Sequence, residues 1–175
     1  MSKKWMIVLG AALIAGCGTT VDPEQPGASV EDRNAKSIDG ADVKRVTPED
    51  NLGTALAAVK QGVLAKRSVF FDYDSYVIKD EYKSLVEAHA KFLVANPRVK
   101  MLIQGNADER GSREYNLALG QKRAEALRKM LALLGAREEQ IEAVSLGEEK
   151  PRCSEGSEAC WSQNRRDDML YTGEF

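Results

Sequence analysis

The chain has 175 residues, 25 of them basic and 27 acidic, and a formal net charge of −2. Its length suits one folded domain with additional segments rather than two full domains. The small net charge supplies no basic field, so nucleic acid is not an expected partner.

The N-terminal stretch MSKKWMIVLGAALIAGC is typical of an export signal. Lys3 and Lys4 precede an apolar run from Met6 to Ala15. As a helix that run spans about 15 Å, roughly half of a bilayer core, so it predicts a signal peptide at 1–16 and not a spanning helix.

The signal ends in LIAGC, which resembles the lipobox of bacterial lipoproteins. The resemblance implies that Cys17 is lipidated and becomes the mature N-terminus, while an ordinary secretory signal with an incidental cysteine is the alternative. Gly18 stands where inner-membrane lipoproteins commonly carry Asp. This position therefore points to lipid attachment at the outer membrane, with the rest of the chain facing the periplasm.

Residues 17–46 contain Pro, Gly and acidic residues and few large apolar ones. Such a segment buries too little surface to order itself, so we expect a tether behind the lipidated cysteine. Some thirty flexible residues span about 30 Å on average and about 100 Å when fully extended. A lead-in helix is predicted at 47–66, with Thr47 as N-cap and Pro48 at the first position, although two glycines weaken its apolar stripe.

From residue 67 onward the apolar pattern is that of a folded domain, 67–175. The predicted elements are a strand at 68–73, a helix at 79–97, a strand at 99–105, a helix from its cap at Ser112 to Gly135, a turn at 137–140, a strand at 141–147 and a last strand near 169–172. This order indicates an α/β sandwich of the βαβαβ type, with a mixed four-stranded sheet and both helices on one sheet face.

Helical spacing predicts which residues face the core. The helix after Ser112 has a stripe of Leu117, Ala124, Leu127, Leu131 and Leu134. His89 falls on the apolar stripe of the preceding helix, in step with Val86 and Phe92. We expect it to be a semi-buried structural residue rather than a catalytic one.

The stretch GNADERGSREYNLALGQKRAEALR (105–128) joins a strand end, a charged turn and a long helix. Asn116 and Arg123 are seven residues apart, close to two helical turns, so they share the helix face that begins at that turn. One interpretation is a solvated helix face with a capped start. The other is a small pocket with the acid of Asp108 on one wall and the guanidinium of Arg123 on the other.

Two further polar clusters leave alternatives open. Asp72 and Asp74 lie on the same side of a strand end, and they either form a turn or edge a binding site. They do not begin a calcium loop, because its fifth, sixth and twelfth positions carry Tyr, Val and Lys. The sequence NRR at 164–166 is either a basic strand entry or part of a site.

Cys153 and Cys160 stand in RCSEGSEACW, a spacing that fits no zinc site, and the single histidine is far away in sequence. In an exported protein a local disulfide is favoured, with two free thiols on a surface loop as the alternative. Trp161 is expected to cover this small loop rather than to stack on a ligand.

No set of residues in the sequence marks an enzyme. A Ser-His-Asp arrangement would depend entirely on His89, and no G-x-S-x-G sequence is present. Asp108 and Glu109 could form a carboxylate pair for glycan hydrolysis, but adjacent residues project in different directions. We therefore expect a non-catalytic protein without a metal or cofactor.

Four blocks of the sequence resemble successive motifs of the OmpA-like peptidoglycan-binding domain family. The blocks are VFFDYDSYVIKDEY, GNADERGSREYNLALGQKRAEALR, VSLGEEKPRC and QNRRDDMLY. The similarity covers about Ser68 to Tyr171, and the second block is the most diagnostic of the four.

The resemblance implies a pocket for the side-chain end of meso-diaminopimelate in the wall peptide, a zwitterion with one ammonium and one carboxylate. The family's acid matches Asp108, which is expected to take the ammonium. Its ligand-binding arginine matches Arg123, which is expected to take the carboxylate. Further pocket residues implied in the same way are Asn116, Asp74, Ser75, Asn164 and Arg165.

The resemblance also implies partners. Family members bind the Tol system, notably TolB, and help to draw the outer membrane inward during cell division. The expected function is therefore that of an outer-membrane lipoprotein that tethers this membrane to peptidoglycan. The alternatives are a related wall-binding lipoprotein outside the Tol system and a peptidoglycan hydrolase, which would need a nucleophile or a paired set of acids.

Two features depart from the family pattern. Asp167 and Asp168 follow NRR where an apolar-polar alternation is expected, which leaves the start of the last strand in doubt. Asn106 stands where relatives often carry His, and we expect the strand end to tolerate it.

Overall fold

The computed structural model describes residues 48–175, with side chains from residue 51 onward. All of these residues belong to the unit Lys44–Phe175. The predictions of a signal peptide at 1–16, a tether at 17–46, a lipidated Cys17 and an N-cap at Thr47 lie outside the described residues.

Four α-helices and four β-strands make up the described part of the chain. They are α1 (Pro48–Ala58), β1 (Ser68–Phe70), α2 (Lys83–Ala95), β2 (Met101–Asn106), α3 (Arg113–Leu133), β3 (Ile141–Gly147), α4 (Glu158–Asn164) and β4 (Arg166–Tyr171). Short 3₁₀ turns precede β1, α2 and β3 at Gly62–Ala65, Asp80–Tyr82 and Glu138–Gln140. Within residues 48–175, no helix has the length and apolar character needed to cross a membrane.

The strands form one mixed sheet in the order β1-β4-β2-β3. Strands β2 and β3 run parallel, whereas β4 pairs antiparallel with both β1 and β2. The parallel pair requires a crossover, which α3 supplies. The predicted α/β fold with a mixed four-stranded sheet is therefore confirmed, and the carboxyl ends of β1, β2 and β3 meet the amino end of β4 at one end of the sheet.

The core lies between one face of this sheet and the helices α2 and α3. Opposed residues of β2 and β4, such as Ile103 and Met169, share that face and are fully buried. Leu93 of α2 and Leu127 of α3 belong to the same buried cluster. Both long helices thus cover the same side of the sheet.

Helix α3 begins and ends close to the predicted positions. Ser112 caps it, with its side-chain oxygen accepting a hydrogen bond from the backbone N–H of Tyr115 at 3.2 Å. Three residues of the predicted stripe are buried: Ala124, Leu127 and Leu131. The prediction is wrong for Leu117 and Leu134, which are 50% and 39% exposed. Leu117 lies beside the edge strand β3, in an open groove with Val144 and Ser145, and Leu134 follows the last residue of the helix.

Three other elements differ from the sequence-based expectation. The first strand is only three residues long: the backbone N–H of Phe71 still bonds the carbonyl oxygen of Arg165, and the chain then turns between Asp72 and Ser75. The last strand begins at Arg166 and includes both aspartates that left its start in doubt. The segment predicted as one lead-in helix is helical to Ala58, after which Gly62, with a φ of 60°, opens a separate 3₁₀ turn.

Helix α3 approaches the sheet closely at two glycines. A Cβ atom on Gly105 would lie 2.0 Å from the carbonyl oxygen of Gly120, so no larger residue fits there. Arg123 follows Gly120 by about one helical turn. The close approach therefore brings the side chain of Arg123 to the end of the sheet where β2 stops.

His89 of α2 is fully buried at the opposite end of the sheet. Its Nε2 lies 2.9 Å from the carbonyl oxygen of Lys66, which can only accept, so this nitrogen carries the proton. Nδ1 then accepts from the hydroxyl of Tyr171 at 2.7 Å. The predicted structural role agrees with this neutral, fully paired imidazole.

Candidate functional site

A cavity of about 160 Å³ opens at the end of the sheet where β1 and β2 stop and β4 begins. The predicted site residues that line it are Asp74, Asp108, Asn116, Arg123 and Arg165. Ser75 and Asn164 lie next to it without lining it. The structure therefore brings together side chains from four separate parts of the sequence.

Asp108 is almost fully buried, at 4% exposure. One of its carboxylate oxygens accepts from the backbone N–H and Nε of Arg110 at 3.1 and 3.2 Å. The other accepts from Nη2 of Arg110 at 2.7 Å and Nη1 of Arg165 at 3.2 Å. Burial by itself would raise the pKa of Asp108, but these bonds outweigh it and hold the pKa below its usual value.

Arg123 has no exposed surface. Its Nε, Nη1 and Nη2 donate to the backbone carbonyl oxygens of Ser75, Asn106 and Asp72 at 2.7, 2.8 and 3.2 Å. The guanidinium also lies 5.1 Å from the ring centre of Phe71. Burial lowers the pKa of Arg123 to about 10, so the side chain keeps its charge at neutral pH.

The turn after β1 presents Asp74 to the cavity. Asp74 has a φ of 52°, in the left-handed region that few residues other than glycine adopt. Its carboxylate accepts a hydrogen bond from the hydroxyl of Tyr115. Ser75 contributes its backbone carbonyl to Arg123, and so it supports the site through its main chain.

Asn116 and Asn164 play different parts. Asn116 lines the cavity and donates to the carboxylate of Glu148, which follows β3. Asn164 instead closes the preceding loop, since its side chain bonds the backbone N–H groups of Arg152 and Cys153 and the carbonyl oxygen of Cys153. It therefore positions its neighbour Arg165 rather than the cavity wall.

Arg165 joins the strand β1 to Asp108. Its Nε donates to the carbonyl oxygen of Phe71 at 3.1 Å, and its Nη2 donates to Glu158 at 2.6 Å. With Nη1 on Asp108, all three nitrogens are in use. Arg165, which the sequence leaves open as a basic strand entry or as part of a site, is thus a buried residue of the cavity wall.

Arg110 lines the cavity but is absent from the predicted site. Its guanidinium lies between two aromatic rings, 4.1 Å from the ring centre of Tyr73 and 4.2 Å from that of Trp161. Trp161 therefore stacks on this arginine rather than only covering its own loop. The sequence places Arg110 beside Asp108 in the charged turn, and this is the one feature that could have predicted a role in the site. Its aromatic partners, Tyr73 and Trp161, are both distant in sequence.

Helix α4 holds this wall of the cavity and does not appear among the predicted elements. In the structure the sulfur atoms of Cys153 and Cys160 are bonded to each other. Ser157 caps the helix, and its first residue, Glu158, forms ion pairs with both Arg110 and Arg165. Trp161 extends from the same helix to Arg110.

Asp167 is a second buried acid near Arg123. It lies opposite Val69 and Gly105 on the core face of the sheet and has no exposed surface. Neither of its carboxylate oxygens has a hydrogen-bond partner among the described residues. Burial raises the pKa of Asp167 well above its usual value, and the positive charge of Arg123 only partly opposes this.

The cavity wall as a whole has charges of both signs. Two acids and three arginines line it, which leaves a formal excess of one positive charge. Such a wall can hold a small ligand that carries both a carboxylate and an amine. Residues 48–175 contain no cluster of three or more His, Cys, Asp or Glu side chains arranged to hold a metal ion.

Comparison with known sequences gives consistent matches. The profile of the OmpA family matches residues 70–165. The peptidoglycan-associated lipoprotein of Pasteurella multocida is 34% identical over 171 residues, which covers 98% of this chain and 98% of that protein. The protein of the same name from Haemophilus influenzae is 46% identical over 104 residues, or 59% of this chain and 68% of that protein.

Solved structures show the same architecture. The crystal structure of the peptidoglycan-associated lipoprotein from Burkholderia pseudomallei has a TM-score of 0.63 and 57% identity, and it covers 64% of this chain and 95% of that one. The C-terminal domain of Helicobacter pylori MotB has a TM-score of 0.55 at 21% identity, covering 60% of this chain and 83% of that one. At that identity the similarity to MotB concerns the fold alone.

Proposed function

We propose, from the premise that this chain belongs to the OmpA family, that residues 67–175 bind peptidoglycan without covalent attachment and without catalysis. Relatives that match this chain are named peptidoglycan-associated lipoproteins. The observation that carries the proposal is the cavity of about 160 Å³ whose wall has charges of both signs.

The proposed ligand is the side-chain end of meso-diaminopimelate in the wall peptide, where one carbon atom bears an ammonium and a carboxylate. Arginine suits the carboxylate, because its planar fork matches the two oxygens. Arg123 uses three of its five N–H donors for described backbone carbonyls, which leaves two for a ligand. The acids Asp74 and Asp108 suit the ammonium, and Asn116 and Arg165 complete the wall.

The proposed anchor is the lipid on Cys17 at the outer membrane, joined to the domain by the tether at 17–46. The names of the relatives as lipoproteins support this part of the proposal. Association with TolB and other Tol components, and a role in outer-membrane integrity and constriction during division, follow from the sequence resemblance. Together they describe a tether between the outer membrane and the cell wall.

Sedimentation with purified sacculi tests the wall-binding proposal. The full chain is expected to bind sacculi that contain diaminopimelate and to bind lysine-type wall much less, because lysine has no side-chain carboxylate for the arginines. Arg123→Ala should weaken binding about ten- to a hundredfold. Arg128→Ala, on the same helix but paired with Glu125 away from the cavity, is the matched control.

Equal binding to both wall types would contradict the proposed ligand. So would undiminished binding by an Arg123→Ala variant that is shown to be folded by circular dichroism. Release of soluble wall fragments from the sacculi would instead support the hydrolase alternative.

Cell fractionation tests the anchor. Cys17→Ala should move the protein from the membrane fraction to the soluble periplasm. If the variant stays with membranes after a high-salt wash, another attachment must hold it. Co-purification with TolB then separates a Tol-linked protein from a related wall-binding lipoprotein outside that system.

A further inference from the structure

We infer that the surface around Leu133, at the end of the domain opposite the cavity, docks on a membrane that contains anionic phospholipids. We call this surface, formed by residues 91–98 and 128–139, the distal surface. The docking rests on the proposed lipid anchor, which keeps the domain near a membrane, and it uses residues that take no part in the cavity.

Both long helices end at the distal surface. Asn116 and Arg123, in the first half of α3, line the cavity, and the helix then continues to Leu133. Its 21 residues span about 30 Å, so its two ends lie on opposite sides of the domain. In α2, the carbonyl oxygen of Leu93 near the end of the helix accepts from the side chain of Gln140, directly before β3 begins. The beginning of β3 is the end of the sheet away from the cavity.

Three apolar side chains are exposed on the distal surface. Leu133 is the most exposed large apolar residue in the described part of the chain, at 88%, and Val94 and Leu134 are exposed as well. A Cβ atom on Gly135 would lie 3.5 Å from Cγ2 of Val94, which places the ends of the two helices side by side. Single exposed apolar residues are ordinary, whereas adjacent ones mark interaction sites.

The distal surface is basic, although the whole chain is acidic. Residues 91–98 and 128–139 contain five basic and two acidic residues, a net charge of +3, against −2 for the chain. Lys129 lines the same shallow groove as the exposed leucine of α3. Arg137 donates to the carbonyl oxygen of Pro97 at 2.8 Å, so the two segments adjoin. Basic residues thus surround the apolar group.

This combination suits a lipid surface better than a protein partner. Apolar side chains can enter the boundary between headgroups and acyl chains, while the surrounding basic side chains meet the phosphates. A stable protein interface needs about 800 Å² from each partner, which is more than three such apolar side chains cover. A membrane contact can be much smaller, because a lipid tether raises the local concentration of the domain at the membrane.

The path of the chain agrees with this orientation. The proposed tether leads into α1, and Val59 directly follows that helix. Arg67 donates to the carbonyl oxygen of Val59 at 2.9 Å and to that of Met169, near the end of β4, at 3.3 Å. The chain therefore joins the core at the end of the sheet away from the cavity. In the docked state that end faces the membrane and the cavity faces away from it.

Fluorescence quenching on vesicles tests the docking. The lipidated full chain is purified in detergent and reconstituted into vesicles of phosphatidylglycerol and phosphatidylcholine in equal parts, or of phosphatidylcholine alone. Both kinds carry a headgroup spin label that quenches fluorescence. A fluorophore is attached at Ala95→Cys, beside Val94, or at Ala118→Cys, an exposed position in the first half of α3. The disulfide of Cys153 and Cys160 is left unreduced.

In the mixed vesicles, the label at residue 95 should be quenched more strongly than the label at residue 118. The difference should disappear in phosphatidylcholine alone and shrink in high salt, which screens the basic residues. Lys129→Gln should lower the ratio of docked to undocked domain about fivefold. Leu133→Ser should lower it about tenfold.

Two matched substitutions nearer the cavity end of the same helix serve as controls. Lys122→Gln removes an exposed basic residue and Leu117→Ser an exposed leucine, and both should leave the quenching as it is. Leu133→Ser should also bind sacculi as well as the native chain does. Weaker binding to sacculi would place Leu133 in wall binding and overturn the inference.

Flotation of the same samples separates the docking from the anchor. A chain that floats with both vesicles but shows equal quenching at the two labels would overturn the inference and keep the proposed anchor. A chain that floats only with the mixed vesicles would contradict the anchor and keep the inference, and one that floats with neither would contradict both. An effect of Leu133→Ser that is equal in both lipids and grows with the number of chains per vesicle would show that a second copy covers the surface, which also overturns the inference.

Discussion

The two ends of the sheet differ in whether they bury charged groups. At the cavity end, charged groups are buried beside neutral asparagines: Asp108, Arg123 and Arg165 have exposures of 4%, 0% and 5%. At the far end they are neutral: His89 and Gln140 have exposures of 0% and 4%. The comparison separates the region at which we propose binding from a region arranged for stability.

The far end satisfies its polar groups with backbone carbonyls and one hydroxyl. The side-chain amide of Gln140 donates to the carbonyl oxygens of Leu93, Asn96 and Val99, which ties the end of α2 to the sheet. His89 joins Lys66 to Tyr171 in the same way. Neutral groups with their bonds made add stability without the desolvation penalty that buried charges carry.

The cavity end retains charges that a purely structural core would avoid. Replacing buried ion pairs by apolar side chains is often neutral or stabilising, so ion pairs are weak evidence for stability. Here they leave a cavity whose wall is already oriented for a charged ligand. The difference supports the proposal that this end of the sheet is a preorganised binding site, held at a cost in stability.

The largest expected effect comes from adding a methyl group where α3 packs against β2 at the cavity end. Gly105→Ala would place a methyl group 2.0 Å from the carbonyl oxygen of Gly120, so α3 must move away from the sheet. We expect a loss of about 3 kcal/mol or more in the free energy of unfolding, measured with urea. Gly53→Ala in α1 is the matched control.

A Cβ atom added at Gly53 would have no other atom within 4 Å. It should be neutral or stabilise the protein by up to about 1 kcal/mol, because alanine favours helix over glycine. An equally small effect of both substitutions would mean that α3 does not approach β2 as closely as the structure has it.

The far end should respond to acid. Burial, the largest influence, lowers the pKa of His89 to about 4 from 6.5. Since the unfolded chain takes up the proton first, the stabilisation is present above pH 6.5 and is lost as the pH falls towards 4. The loss should amount to about 3 kcal/mol.

Chemical denaturation at several pH values measures this dependence. His89→Gln keeps a side chain that both donates and accepts hydrogen bonds but cannot titrate in this range. The native protein should therefore lose more stability than the variant between pH 7 and 4. Parallel curves would show that protonation of His89 is not the cause.

A smaller effect should come from removing the disulfide near the cavity. Changing both Cys153 and Cys160 to Ser opens a loop with a sequence separation of 7. We expect about 2 kcal/mol less stability towards urea. Binding to sacculi that contain diaminopimelate should also weaken, because α4 carries Glu158 and Trp161, which hold Arg110 and Arg165.

Thiol labelling of the unreduced native protein serves as the control and should find both cysteines blocked. A double variant with reduced stability and unchanged affinity would show that α4 does not position the arginines.

The smallest effect is expected for a surface contact at the far end. Glu174 accepts bonds from Arg67 and from the backbone N–H of Tyr171, each at 2.8 Å. Glu174→Gln keeps one acceptor oxygen for Tyr171 and removes the charge and one of the two oxygens that face Arg67. The thermal midpoint should fall by a few degrees at most, for a loss of about 0.5 kcal/mol, and ligand affinity should not change.

The sequence by itself determined the elements that depend on local patterns. Periodicity and capping placed α3 after Ser112 and β3 at 141–147, because helix caps and alternating side chains act over a few residues. The same local geometry put Asn116 and Arg123 on one helix face. In this structure that face is buried and lines the cavity, which sets aside the solvated-face alternative.

Contacts between distant parts of the chain were decided only in the tertiary structure. Arg110 meets Trp161, and Asn116 meets Glu148, across 51 and 32 residues of sequence, so no local pattern indicates either pair. Asp167 occupies a core position that alternation assigns to an apolar residue, next to Arg123. The bond that Asp108 accepts from Arg165, 57 residues away, and the one that Asp74 accepts from Tyr115, 41 residues away, likewise exist only because the folded sheet brings these residues together.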